Sequence, residues 1–272
     1  MIARAEAGGA DREMNKATVR VLEVLSSFAS DAAGFGVTEL SQLLGMTKNM
    51  TYRALTTLVE QGYLVRDPDS TRYQLGYRVL ELQSTDAHEP DFRTLCSPYL
   101  RRIQALTGES VSLAVRALDY CVLIEGIETR KRGIWRVRVG DLLPLFGPAS
   151  GRVMLAFVDD KGVDDYIARN RPMRHPRTGG LITADELRRD IAAVRAQGYV
   201  QVVRASNPPM ISLSFAVRDL DGGLHGAISV GGPTDRFRDQ LDAQMPQLIE
   251  IVAELNSRTR LFSANAAGSE LS

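Results

Sequence analysis

Residues 37–58 restrict the fold more than any other stretch, because two short amphipathic segments meet there at a single glycine, Gly45. In the first segment Thr38 is placed to cap a helix whose apolar face is Leu40, Leu43 and Leu44. Gly45 supplies the positive φ that a sharp corner needs. Thr47 then caps a second helix, in which Thr51, Leu55, Leu58 and Val59 recur as the inward stripe. Lys48, Asn49, Tyr52, Arg53 and Thr56 are left on the opposite face. No carboxylate stands among them. A helix with this face, braced by a short preceding helix, has the form of an element that enters a DNA major groove. Arg, Asn and Thr suit base edges, and Lys and Tyr suit phosphate oxygens. Taken alone, the pattern also describes an exposed helix in an unrelated bundle.

The continuation narrows the choice. Gly62 stops the second helix, and the alternating runs Tyr63-Leu64-Val65-Arg66 and Thr71-Arg72-Tyr73-Gln74-Leu75 flank the turn chemistry of Asp67-Pro68-Asp69-Ser70. That is a hairpin wing. A helix over residues 16–29, with Val19, Leu22, Val24, Leu25 and Phe28 at near-helical spacing, completes a winged helix-turn-helix domain over residues 15–76. Its candidate DNA contacts are Thr38, Thr47, Lys48, Asn49, Thr51, Tyr52, Arg53, Thr56 and Arg72. At Tyr73-Gln74-Leu75-Gly76-Tyr77-Arg78-Val79-Leu80 the chain resembles the IclR family of bacterial transcriptional regulators, and the resemblance extends over nearly the whole length. One departure is Met50, where relatives commonly carry Ser or Thr.

A length of 272 residues, 44% of them hydrophobic, suits two cores. Lys and Arg total 33 and Asp and Glu total 33, so any affinity for nucleic acid must come from a local patch. Cys96 and Cys121 are too few and too scattered for a disulfide framework or a thiolate metal site, which points to a reducing, cytoplasmic setting. No segment has the unbroken apolar length of a membrane span, and residues 1–14 read as a disordered tail rather than a signal peptide.

Residues 77–91 are expected to form a linker helix, in which His88 has no second ligand at helical spacing. A helix over 92–106, broken at Ser97-Pro98, leads into alternating strands over 110–118 and 120–127, the start of an α+β core. Residues 129–138 carry five cations around Trp135, the one tryptophan. The Arg130-Lys131-Arg132 run reads as a solvated edge strand, while Trp135 stands where it could flank a pocket. Over 139–157, Gly147 and Pro148 end a loop, Ser150 is placed to cap a helix, and the N–H groups near Ala149, Ser150 and Gly151 offer a carboxylate seat. Thr183-Ala184-Asp185-Glu186 is a capping box for a helix to Gln197, stopped by Gly198. The cluster of residues 171–177 and residues 204–209 read as loops. A hairpin pair spans 210–217 and 226–233, a helix covers 237–261, and residues 264–272 form a second disordered tail.

The resemblance implies that residues 92–263 form a GAF-like domain binding a small, usually acidic metabolite. Carried over by position, the effector contacts are Ala149, Ser150, Gly151, Ser212 and Ser229, with Leu143 and Leu145 as apolar wall and Trp135 beside them. Relatives that sense glyoxylate or pyruvate tend to have an acidic residue before the Ser212 strand and a cysteine at its position. Val200-Gln201-Val202-Val203 and Ser212 depart from both, which favours a larger, aromatic acid. The expected partners are double-stranded operator DNA, the effector, and further copies of the chain as a dimer or tetramer, since one small winged domain covers little DNA. No cofactor, catalytic group or resident metal is expected. The competing readings are an enzyme on a GAF-like scaffold, which lacks a nucleophile–base or carboxylate pair in sequence, and a zinc-responsive regulator, which elemental analysis would reveal.

Overall fold

A computed structural model describes residues 15–28, 34–68, 70–83, 92–131, 137–176, 178–204, 206 and 208–259. Both expected tails, residues 84–91 of the expected linker helix with His88, and Trp135 lie outside the described residues. The chain divides into two compact units, Met1–Glu89 and Pro90–Ser272.

The first unit is a three-helix core with a wing. Helix α1 (Lys16–Ser27) is capped by Asn15, whose side chain accepts from the Ala17 and Thr18 N–H groups. Helix α2 (Val37–Leu44) is capped at Gly36 rather than at Thr38. Thr38 sits exposed in the first turn, and the Glu39 carboxylate accepts from the Gly36 N–H at 3.4 Å. Gly45 ends α2 at φ 62°, the left-handed region open to glycine. Helix α3 (Lys48–Glu60) is capped by Thr47, whose Oγ1 accepts from the Met50 N–H at 3.3 Å. Leu43 is exposed, contrary to expectation. The buried arc of α2 runs through Leu40, Ser41 and Leu44, and at 100° per residue Leu43 falls about 110° from its middle. Val24, Phe28, Leu40, Leu55 and Leu58 close the core, with Phe28 edge-on to Phe35. Strands β1 (Leu64–Arg66) and β2 (Tyr73–Leu75) pair antiparallel as the wing and add Leu64 and Tyr73 to that core. Helix α4 (Arg78–Gln83) follows.

The second unit is one antiparallel sheet covered on both faces. Helix α5 (Phe92–Thr107) runs unbroken through Pro98. The proline forfeits one backbone bond, which the burial of Cys96, Tyr99, Leu100 and Ile103 on the same helix outweighs. Strands β3 (Ser110–Ala117), β4 (Tyr120–Ile127) and β5 (Leu142–Pro144) precede helices α6 (Ala149–Leu155), α7 (Asp160–Arg169) and α8 (Ala184–Gln197). Strands β6 (Tyr199–Arg204), β7 (Met210–Arg218) and β8 (Leu224–Pro233) and helix α9 (Thr234–Arg258) complete the unit. The strand order is β5-β4-β3-β8-β7-β6. Helices α5 and α9 cover one face over Val111, Leu113, Leu213 and Val230, and α6 to α8 cover the other.

That two-sided burial explains where patterning misleads. β3 is buried continuously from Ser110 to Ala114 instead of alternating between core and solvent. Residues 199–204 form edge strand β6, with Arg204 its last residue rather than the start of a loop. Thr129 to Lys131 form no strand. Instead the fully buried Glu109 takes bidentate bonds from Arg236 at 2.7 and 2.8 Å and an ion pair from Lys131 at 3.4 Å.

Candidate DNA-reading face and effector cavity

Burying Thr51, Ala54, Leu55 and Leu58 turns the rest of α3 outward. Lys48, Asn49, Tyr52 and Arg53 are exposed, Tyr52 at 51%, and Thr56 is half-buried beside them. Among the described residues neither Lys48 nor Arg53 makes an ion pair, so both charges face solvent. Thr47 is exposed, but its hydroxyl oxygen is used as the cap. Thr51 belongs elsewhere: it is fully buried, and its hydroxyl donates to the Thr47 carbonyl at 3.1 Å, which makes it a core residue. Arg72 is tied within the protein, to the Glu39 carboxylate at 3.1 Å and to the Gly34 carbonyl, and so fastens the wing to the start of α2.

In the second unit, residues from four strands, helix α6 with its N-cap, and one loop meet around a narrow cavity. Ser112 of β3, Leu123 of β4, Leu143 of β5, Pro148 and Ser150 at the start of α6, His175 and Pro176 between α7 and α8, and Arg204 at the end of β6 line it. Its volume is about 10 Å³, room for one water, so a larger occupant requires the lining to part. The sheet floor has a serine row: Ser112 pairs with Ser229 across β3–β8, and Ser229 with Ser214 across β8–β7. Cys121 Sγ lies 3.7 Å from Ser150 Oγ, and burial pushes this thiol up to about 11 against the pull of that contact and of the Arg204 charge. His175 is buried, and its Nδ1 accepts from the Thr178 N–H at 3.2 Å, so the neutral ring carries its proton on Nε2 as a donor.

The family models decide what these two units belong to. The IclR helix-turn-helix domain matches residues 17–68, and the C-terminal domain of the bacterial transcriptional regulator IclR matches residues 85–257. The chain belongs to the IclR family. It is 28% identical over 261 residues to the HTH-type transcriptional regulator KdgR of Escherichia coli K12, covering 94% of this chain and 96% of that protein. With the regulator BhcR of Paracoccus denitrificans it shares 27% identity over 259 residues, 93% of this chain and 91% of the relative. Among solved structures, a putative IclR regulator from Silicibacter superposes with a TM-score of 0.74 at 25% identity, covering 89% of this chain and 95% of that one. An IclR homologue from Microbacterium hydrocarbonoxydans complexed with 4-hydroxybenzoate has the same fold, with a TM-score of 0.71 at 21% identity over 88% of this chain and 99% of that one.

As an IclR-family chain it places only part of its expected effector set at the cavity. Leu143 and Ser150 line it. Leu145, Ala149 and Gly151 are buried in the packing behind it, and a Cβ on Gly151 would lie 2.2 Å from the Leu145 carbonyl oxygen. Ser150 lies inside α6, since Pro148 is the N-cap. Ser229 donates to Ser214 Oγ at 2.9 Å, and Ser212 donates to the Val202 carbonyl at 3.5 Å, so both hydroxyls are engaged within the sheet. Ser112, His175 and Arg204 were not anticipated. The register of β3 against β8 is the signal that would have found Ser112. His175 and Arg204 sit in segments whose composition reads as solvated loop.

Proposed function

We propose that this IclR-family regulator binds operator DNA through the α3 face and that a small, carboxylate-bearing metabolite in the second-unit cavity controls the binding. The observation that carries the DNA half is the solvent-facing set Lys48, Asn49, Tyr52 and Arg53, its two cations without an ion pair among the described residues, on a helix anchored by Thr51, Leu55 and Leu58. The effector half is supported by polar side chains, Ser112 and Ser150 among them, converging with Leu123, Leu143 and Pro148 on one concave site. 4-Hydroxybenzoate, bound by one homologue of the same fold, is a natural first probe. Pairing of half-sites by a dimer or tetramer, in the cytoplasm, completes the proposal. No helix among the described residues is long and apolar enough to cross a membrane.

Genome-wide footprinting of the bound chain is the test. Discrete occupied sites sharing a two-fold symmetric sequence support the proposal, and the genes beside them name the pathway. Occupancy that is uniform or absent contradicts it.

A further inference from the structure

The first turn of α3 carries one apolar side chain, Met50, between polar neighbours: Lys48 and Asn49 before it are exposed, and Thr51 after it is in the core. Met50 is half-buried. Among the described residues it belongs neither to the core closed by Leu40, Leu55 and Leu58 nor to the partly buried side chains packed against that core, which include Met46 and Val59. At 100° per residue it falls about 60° from Arg53 around the helix axis, at the edge of the outward face. Its backbone N–H is taken by the Thr47 hydroxyl, so a further partner has to meet the thioether side chain. Met50 therefore stands at the N-terminal end of α3, the end that a recognition helix sets against base edges. Most of what a major groove displays there is hydrogen-bonding, and a thioether answers it poorly. The apolar group of the groove is the C5-methyl of thymine. Contact with it removes apolar surface from water on both partners, and the unbranched, flexible methionine chain adapts to reach it.

We propose that Met50 is a specificity-determining residue of the operator contact and reads a thymine through its C5-methyl group. This rests on the DNA-reading function proposed for α3 and goes beyond it by fixing one base of the site and the chemistry that recognises it.

The test uses a duplex selected by the full chain from a randomised pool, with each thymine of one half-site replaced in turn by uracil. That change removes the methyl and leaves every hydrogen-bonding group of the base in place. At one position it is expected to weaken binding about fourfold, the worth of one buried methyl, in a gel-shift titration at fixed salt. Met50→Gln, similar in length but polar, is expected to bind the thymine and uracil duplexes equally, and Met50→Leu to keep a preference for thymine. The proposal is overturned if no thymine methyl matters to the unaltered chain, or if the preference survives Met50→Gln. The uracil scan of the unaltered chain stands even if a variant fails to fold. Arg53→Ala on the same duplex separates the two levels. Weaker binding by Arg53→Ala without any methyl dependence in the unaltered chain refutes only the assignment of Met50, whereas unchanged binding by Arg53→Ala, or no selected site at all, refutes reading by α3 and the role of Met50 with it.

Discussion

On α3 neighbouring side chains divide the work: Thr51 is locked into the core by its bond to Thr47, while Tyr52 and Arg53, one and two positions on, face solvent. Lys48 sits in the first turn as a compact, strongly hydrated cation suited to phosphate. Lys48→Ala is therefore expected to weaken DNA binding uniformly across sequences and to reduce the slope of log affinity against log salt by about 1, measured by gel shift at several salt concentrations. In the second unit, the buried Cys121 thiol titrates at about 11 against 9.0 for the free group, and burial likewise raises Tyr166. Both groups are neutral when protonated, so the folded state holds its protons more tightly. The stability this contributes is complete below pH 9 and is lost as pH rises toward 11. That rise amounts to about 2–3 kcal/mol for Cys121, and urea unfolding at pH 8 and pH 10.5 should show a loss of that order. The outward face of α3 was legible in sequence because helical spacing sorts it. His175 was not, since its burial depends on backbone bonds between its own loop residues, His175 to Gly180 and Gly179 to His175.

Elements were legible where caps and glycines mark them. Thr183 accepts from the Glu186 N–H at 3.1 Å and Gly198 closes α8 at φ 83°, as the capping box predicts. Strand β6 is not legible in sequence because Val200 and Val202 alternate over too few residues to stand apart from the helix before them. Its identity comes from pairing with β7, a contact between residues that the local pattern does not join. Segment 145–151 shows the same dependence on close approach. Helix α6 passes so near Leu145 that Gly151 has no room for a Cβ, and Arg152 beyond it is held by Glu186 and by Asp190 of α8. Gly151→Ala is expected to destabilise the second unit by about 1–3 kcal/mol through overpacking against backbone. Urea unfolding checks this, and an unchanged midpoint would mean that α6 shifts freely and does not fix the cavity wall.

At the scale of the whole molecule, the equal totals of basic and acidic residues leave no general attraction for DNA, so binding has to be concentrated on one face. That a winged unit is followed by a sheet unit was readable from the motifs, although the chain divides after Glu89 rather than at residue 76. What the second unit surrounds was not, because the lining of its cavity comes from segments spread over residues 112–204. The most direct measurement is selection of duplexes from a randomised pool by the full chain, followed by titration of Arg53→Ala on the selected sequence at fixed salt. The unaltered chain should enrich a two-fold symmetric site, and Arg53→Ala should bind it about 1–3 kcal/mol more weakly with relaxed sequence preference. Enrichment of no sequence, or unchanged affinity and preference in Arg53→Ala, would contradict the assignment of DNA reading to α3.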